Sequence, residues 1–150
     1  MTFLKISSLM TLMALASPTF AGLPYTFDFK VYKDLPQKGL TQIGCINGAG
    51  NFITNSQYCL PFHANTSMNP TTIVGFYKCD GRSGTLNCSD PLSTGVALFG
   101  ISGADLTYNG STTFHQDQWP LSDDDTVGVP TMIGEGSNGT LLLQVHSVSG

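Results

Sequence analysis

The stretch Tyr25-Thr26-Phe27-Asp28-Phe29-Lys30-Val31-Tyr32-Lys33 begins as an unbroken alternation of large apolar and polar side chains. Successive side chains of a strand point to opposite faces, so Tyr25, Phe27, Phe29 and Val31 share one face while Thr26, Asp28 and Lys30 share the other. The stretch therefore predicts a half-buried β-strand. Behind it, Leu35-Pro36-Gln37-Lys38-Gly39 carries turn residues, and residues 40–46 resume an extended pattern. The two runs predict a hairpin.

Working outward, Asn47-Gly48-Ala49-Gly50-Asn51 reads as a second turn, followed by extended runs at 52–54 and 57–62. Residues 71–79, which include Ile73, Val74, Phe76 and Tyr77, have the β-branched and aromatic composition of a central strand. A turn at 80–84 returns the chain through 85–88, and 95–101, 105–108, 111–115 and 140–148 supply further short strands. Asn109-Gly110, between two of them, is a strong two-residue hairpin signal. After residue 21 no apolar 3.6-residue period persists for three turns, and only 11% of residues are charged. The expected fold class is all-β, a small β-sandwich or β-barrel of short antiparallel strands. Residues 115–136, with Trp119, Pro120, Asp123 and Pro130, form the longest irregular stretch, a length that often carries function.

The chain opens Met1-Thr2-Phe3-Leu4-Lys5, continues through an apolar run at 6–16 and exits through Ser17-Pro18-Thr19-Phe20-Ala21. A basic start, an apolar centre and small residues at Thr19 and Ala21 predict an export signal cleaved after Ala21. The apolar run is about half of the ~20 residues a membrane anchor needs. Residues 22–150 are then expected to form a single secreted β-rich domain. Losing Lys5 leaves Lys30, Lys33, Lys38, Lys78 and Arg82 against ten acidic side chains, a net charge of about −5. So few cations argue against nucleic acid and acidic lipid as partners.

All four cysteines lie in this part. An even count in an exported chain implies two disulfides, for which three pairings exist. Cys45 with Cys59 and Cys79 with Cys88 are favoured, because each pair brackets a short turn-rich segment. A zinc site would require close Cys-x-x-Cys spacing, which is missing. Asn-x-Ser/Thr sequons occur at Asn65, Asn87, Asn109 and Asn138, and glycosylated sites face solvent. Asn87 is the weakest, with the disulfide candidate Cys88 beside it.

Among chemically active side chains, Glu135, Arg82 and the histidines His63, His115 and His146 could supply a ribonuclease, in which a carboxylate and an imidazole exchange the 2′-hydroxyl proton. Arg82 falls in a hairpin tip and Glu135 in a glycine-flanked loop, both ordinary solvated positions. Asp123, Asp124 and Asp125 could collect calcium, but the spaced EF-hand pattern and its closing Glu are missing, so a solvated acidic loop is expected. Trp119, with Tyr108, Phe114 and His115, could form an aromatic platform for a sugar ring, and Trp119 beside Pro120 is the best candidate for an exposed contact. No hydrolase or phosphate-loop motif occurs, and no cofactor is expected.

The export signal, the acidic domain, the four cysteines and the Gly-, Ser-, Thr- and Asn-rich β pattern together resemble the small secreted effectors and elicitors of plant-associated fungi. The β-barrel elicitors of the hypersensitive response are the nearest group. Tyr77-Lys78-Cys79 resembles the aromatic-x-Cys element of ribonuclease-like effectors, although it lies deep in the chain rather than near its start. The resemblance implies a non-enzymatic apoplastic protein that recognises a host component, either a host protein or a cell-wall glycan. A carbohydrate-binding module is the alternative, and a small secreted hydrolase or ribonuclease comes third.

Overall fold

A computed structural model describes residues 23–65, 72–95 and 98–148. The expected export signal lies outside the described residues. Eleven strands run in the order β1 (Thr26–Leu35), β2 (Gly39–Ile46), β3 (Asn51–Ile53), β4 (Phe62–Asn65), β5 (Thr72–Val74), β6 (Phe99–Ser102), β7 (Asp105–Tyr108), β8 (Phe114–His115), β9 (Val129–Pro130), β10 (Met132–Ile133) and β11 (Leu141–Ser147). The described chain is all-β with antiparallel pairing throughout, as its patterning predicts.

The opening stretch is the backbone of the sheet. β1 pairs along one side with β11, from Phe27↔Ser147 to Lys33↔Leu141. Its other side is shared by β4 near Thr26 and by β2 from Lys30 to Leu35. The β1–β2 turn places Pro36 after Leu35, and Lys38 N–H donates to the Leu35 carbonyl at 3.1 Å. A register shift opposite Val31 and Tyr32 puts a bulge in this pair, and bulges bend strands and raise their twist.

The curvature ends in closure. The strand path is β10-β8-β11-β1-β2-β3-β9, yet β9 and β10 are separated only by Thr131. Val129 and Pro130 pair with β3, and Met132 and Ile133 pair with β8. The two ends of the sheet therefore meet on one extended segment, residues 129–133, and a barrel results. The remaining strands attach outside this ring: β5 on β4, β6 on β7, and β7 on β11.

Phe27, Phe29 and Val31 are fully buried, as the alternation requires, and join Ile46, Phe52, Phe62, Leu106, Phe114, Leu141 and Leu143 in a hydrophobic core, whereas Tyr25, expected on the same face, precedes β1 and is 76% exposed. Phe29 lies 4.7 Å from Phe62 and 5.1 Å from Phe27 between ring centroids. Cys45–Cys59 and Cys79–Cys88 are the disulfides, the pairing favoured by spacing, and no free cysteine remains. Each loop closure stabilises by about 2–4 kcal/mol, and two disulfides suit an oxidising compartment. No helix among the described residues is long and apolar enough to cross a membrane.

Several local expectations are corrected. Of the central strand expected over 71–79, the described residues form a strand only at Thr72–Val74, which pairs with β4 and adds an isolated bridge from Val74 to Lys78. Phe76 N–H donates to the Gly48 carbonyl and Tyr77 N–H to the Cys88 carbonyl, so these backbone contacts bend the chain away and leave Phe76 and Tyr77 exposed. Residues 57–62 begin in a 3-10 turn, Ser56–Tyr58, because the Asn55 side chain caps it by accepting from Gln57 N–H at 2.9 Å. The Asn109-Gly110 turn forms, with φ of 49° and 79° and two hydrogen bonds between Tyr108 and Ser111, but the expected hairpin stops at that isolated bridge: β7 pairs with β6 and β11 and not with β8.

Entry into the closing segment is fixed by a buried side chain. Asn47 Nδ2 donates to the carbonyls of Thr126 and Val127 at 2.9 and 3.0 Å, while its Oδ1 accepts from Ala49 and Asn51 N–H. Gly128 follows at φ +71°, and a Cβ there would collide with the Phe52 carbonyl. Gly103 has a similar φ, +63°, in open space. Gly103→Ala should therefore cost only the left-handed strain of about 1–2 kcal/mol, whereas Gly128→Ala adds a backbone clash and should cost clearly more, measured by urea unfolding of both variants.

Candidate functional site

Between β8 and β9 the chain runs through residues 116–128 across the barrel surface. Gln116 and Pro120 are buried and anchor it, while Trp119 between them is 54% exposed. The indole meets the ring of Phe52 edge-on, with centroids 5.4 Å apart and planes at 66°. Phe52 is fully buried, so a core residue steadies a surface aromatic. Further along, Thr54 Oγ1 donates to Asp123 Oδ1 at 3.1 Å.

Trp119 borders a cleft of about 250 Å³ lined by Lys33, Gln116, Asp117, Gln118 and Asn138. Lys33 comes from β1, the Gln116 to Trp119 run follows β8, and Asn138 lies in the turn before β11. Because β1 and β8 both pair with β11, strand pairing brings these distant residues to one place. A second depression, about 140 Å³, shares Asp117 and Gln118 and extends to Pro130 and Met132. His115 Nδ1 lies 2.8 Å from the Gly134 carbonyl, which only accepts, so Nδ1 carries the proton there. Nε2 then faces Asp117 Oδ1 at 3.5 Å.

Chemically, this is a shallow polar cleft with one large aromatic and with amide, ammonium and carboxylate groups. An indole presents an apolar face and one N–H. Its neighbours offer both donors and acceptors, the combination that orients a polyhydroxylated ring.

The other residues singled out from sequence lie elsewhere. Tyr108 packs against Phe99, with centroids 5.0 Å apart, and its ring lies where a Gly81 side chain would go; it does not line the Trp119 cleft. Phe114 is core. Arg82 forks onto Asp80 through Nε at 2.9 Å and Nη2 at 2.6 Å, beside a wider depression of about 450 Å³ that includes Asn87 and Asp90. Glu135 is exposed between two glycines. His63 contacts Thr26 Oγ1 at 3.3 Å, and His146 stands opposite Asp28 in the β1–β11 register.

Asp125 Oδ1 accepts from Gly128 and Val127 N–H. These bonds, Gly128's first, hold its carboxyl below the ordinary value. Asp123 takes Thr54, and Asp124 is exposed. Among the described residues no group of three or more His, Cys, Asp or Glu side chains could hold a metal ion.

Sequence reasoning missed Lys33, Gln116, Asp117 and Gln118 as cleft residues. Proximity to Trp119 could have flagged the last three. It also missed Asp28 and Asp105, each with one buried, unbonded carboxylate oxygen. No protein family, curated protein or solved structure matches the chain.

The hydrogen bonds from the Arg82 side chain hold the Asp80 carboxyl below its ordinary value, helped by the Arg82 and Gly81 backbone N–H groups and opposed by burial. A carboxyl depressed in the folded state stabilises above its unfolded pKa of about 3.9, and that contribution is lost as pH falls through the folded value. Asp80→Asn should lower Tm slightly at pH 7, since the Arg82 partner is exposed to solvent, and the difference from wild type should shrink towards zero near about pH 2.

Proposed function

We propose that this chain is a secreted, non-enzymatic, effector- or elicitor-like protein that recognises a host component in the apoplast, and that a cell-wall glycan is that component. The observation that carries the reading is Trp119: a half-exposed indole, braced by the buried Phe52, at the edge of a cleft lined by polar side chains. Other aromatics of the chain are also exposed, Tyr25, Phe76 and Tyr77 among them, but Trp119 is the one that borders the polar cleft, and tryptophan is enriched among the residues that dominate contact energies.

The expected export signal and the two disulfides support an extracellular life. The acidic balance of the chain suits an uncharged or cationic partner better than a polyanion. The adjoining depression over Pro130 and Met132 lengthens the contact, as an oligosaccharide requires. Recognition here needs a stable platform and no reacting group, so replacement of any single His or Asp away from the cleft should leave it intact.

The test combines retention of residues 22–150 on insoluble plant glycans with infiltration into leaf tissue, using wild type, Trp119→Ala and a reduced, alkylated control. Wild type should be retained and should trigger cell death and an oxidative burst. Trp119→Ala, checked for an unchanged fold by circular dichroism, should bind about 30-fold more weakly, the loss expected from truncating a contact worth about 2 kcal/mol. Equal retention of the two folded proteins, or silence in leaf from native protein, would overturn the reading.

A further inference from the structure

Asn138-Gly139-Thr140 is a sequon, and the same Asn138 forms part of the cleft wall near Trp119. It is exposed, in a tight turn where Gly139 N–H donates to the Gly136 carbonyl at 3.3 Å. Asn138 Nδ2, the atom to which an N-linked sugar attaches, lies 3.5 Å from the Asp117 carbonyl, two residues before Trp119. Any sugar on that nitrogen therefore starts at the cleft. The Lys33 stem lies 3.5 Å from where a Gly139 Cβ would stand, so cleft and turn are in direct contact.

The other described sequons differ. Asn109 occupies the first of two left-handed positions in the turn after β7. Asn87 borders the Arg82 depression, with its Oδ1 accepting from both the N–H and the hydroxyl of Ser89. For Asn65 the side chain lies outside the described residues.

We propose that Asn138 is N-glycosylated and that the first N-acetylhexosamine of its glycan folds back into the Trp119 cleft, so that the modified chain masks the site its unmodified form uses for an external sugar. This rests on the cleft being a sugar platform, as proposed above. In the attachment step Asn138 Nδ2 bonds to C1 of the sugar carried on a lipid diphosphate. The C1–O bond breaks, its electron pair leaves with the lipid diphosphate, and Nδ2 gives up one proton. The exposed turn presents the amide for that step.

Size and tethering favour self-occupancy. At about 250 Å³ the cleft is smaller than the ~300–1,000 Å³ of pockets for drug-sized ligands, a scale that suits a single ring. A tethered ligand has an effective concentration in the millimolar range for a short linker, enough to compete with a weakly bound free sugar. Masking would then be switched by occupancy of one asparagine.

The chain contains a single tryptophan, so its fluorescence reports this cleft directly. The full chain is secreted from a host that performs N-glycosylation, beside Thr140→Ala, which removes the sequon and keeps the Asn138 amide in the cleft wall. Peptide mass should show a glycan on Asn138, and the glycosylated chain should show slower acrylamide quenching of Trp119 and about tenfold weaker retention on insoluble glycan than Thr140→Ala. An unmodified Asn138, or identical quenching in the two proteins, overturns the proposal. If Thr140→Ala binds glycan while quenching is identical, masking fails and the proposed function stands. Slower quenching in the glycosylated chain, with no retention of any protein, sustains the seat of the sugar and removes the external glycan.

Discussion

The barrel depends on five residues holding two partners at once. Residues 129–133 pair with β3 through Val129 and Pro130 and with β8 through Met132 and Ile133, and without them the sheet would end in two open edges. Unpaired strand edges template aggregation. The segment has few ladder bonds of its own, so its position is imposed from outside. Asn47 clamps Thr126 and Val127, Asp125 accepts from Val127 and Gly128, and Gly128 passes close to the Phe52 carbonyl. Leu86 N–H and the Gly84 carbonyl bind the segment at Thr131 and Ile133, on a stretch the Cys79–Cys88 disulfide steadies.

This constraint also makes the surface site. The residues that precede the closing segment must cross from β8 to β3, and Trp119 lies on that crossing. Phe52 pairs with Val129 in the ladder and touches the Trp119 indole. One core phenylalanine therefore couples barrel closure to the orientation of the exposed ring. A braced aromatic loses little conformational entropy on binding, so more of its contact energy appears as affinity.

How much of this was legible varied with the range of the interaction. The strand at 25–33, its hairpin, the Asn109-Gly110 turn and both disulfides follow from local patterning, because period, turn chemistry and short loops are local properties. The closing strands at 129–133 were not legible. They are two residues long, contain Pro130 and sit inside a stretch rich in turn residues, and only the long-range ladder makes them strands. Phe76 and Tyr77 mislead for the opposite reason: their β preference is strong, but hydrogen bonds to Gly48 and Cys88 decide the backbone. In the site, Trp119 was visible as an exposed aromatic beside a proline. Lys33 was not, since it reaches the cleft only through the β1–β11 register. Asn138 was visible as a sequon and invisible as a cleft wall.

The most direct measurement is a backbone amide chemical-shift titration of isotopically labelled residues 22–150 with soluble cell-wall oligosaccharides. The account predicts saturable shifts concentrated at Lys33, Gln116, Asp117, Gln118, Trp119 and Asn138, with weaker ones at Met132 and none at Asp80, Arg82 or His146. Saturable shifts centred on the Arg82 depression, or none anywhere in a folded sample, would contradict it.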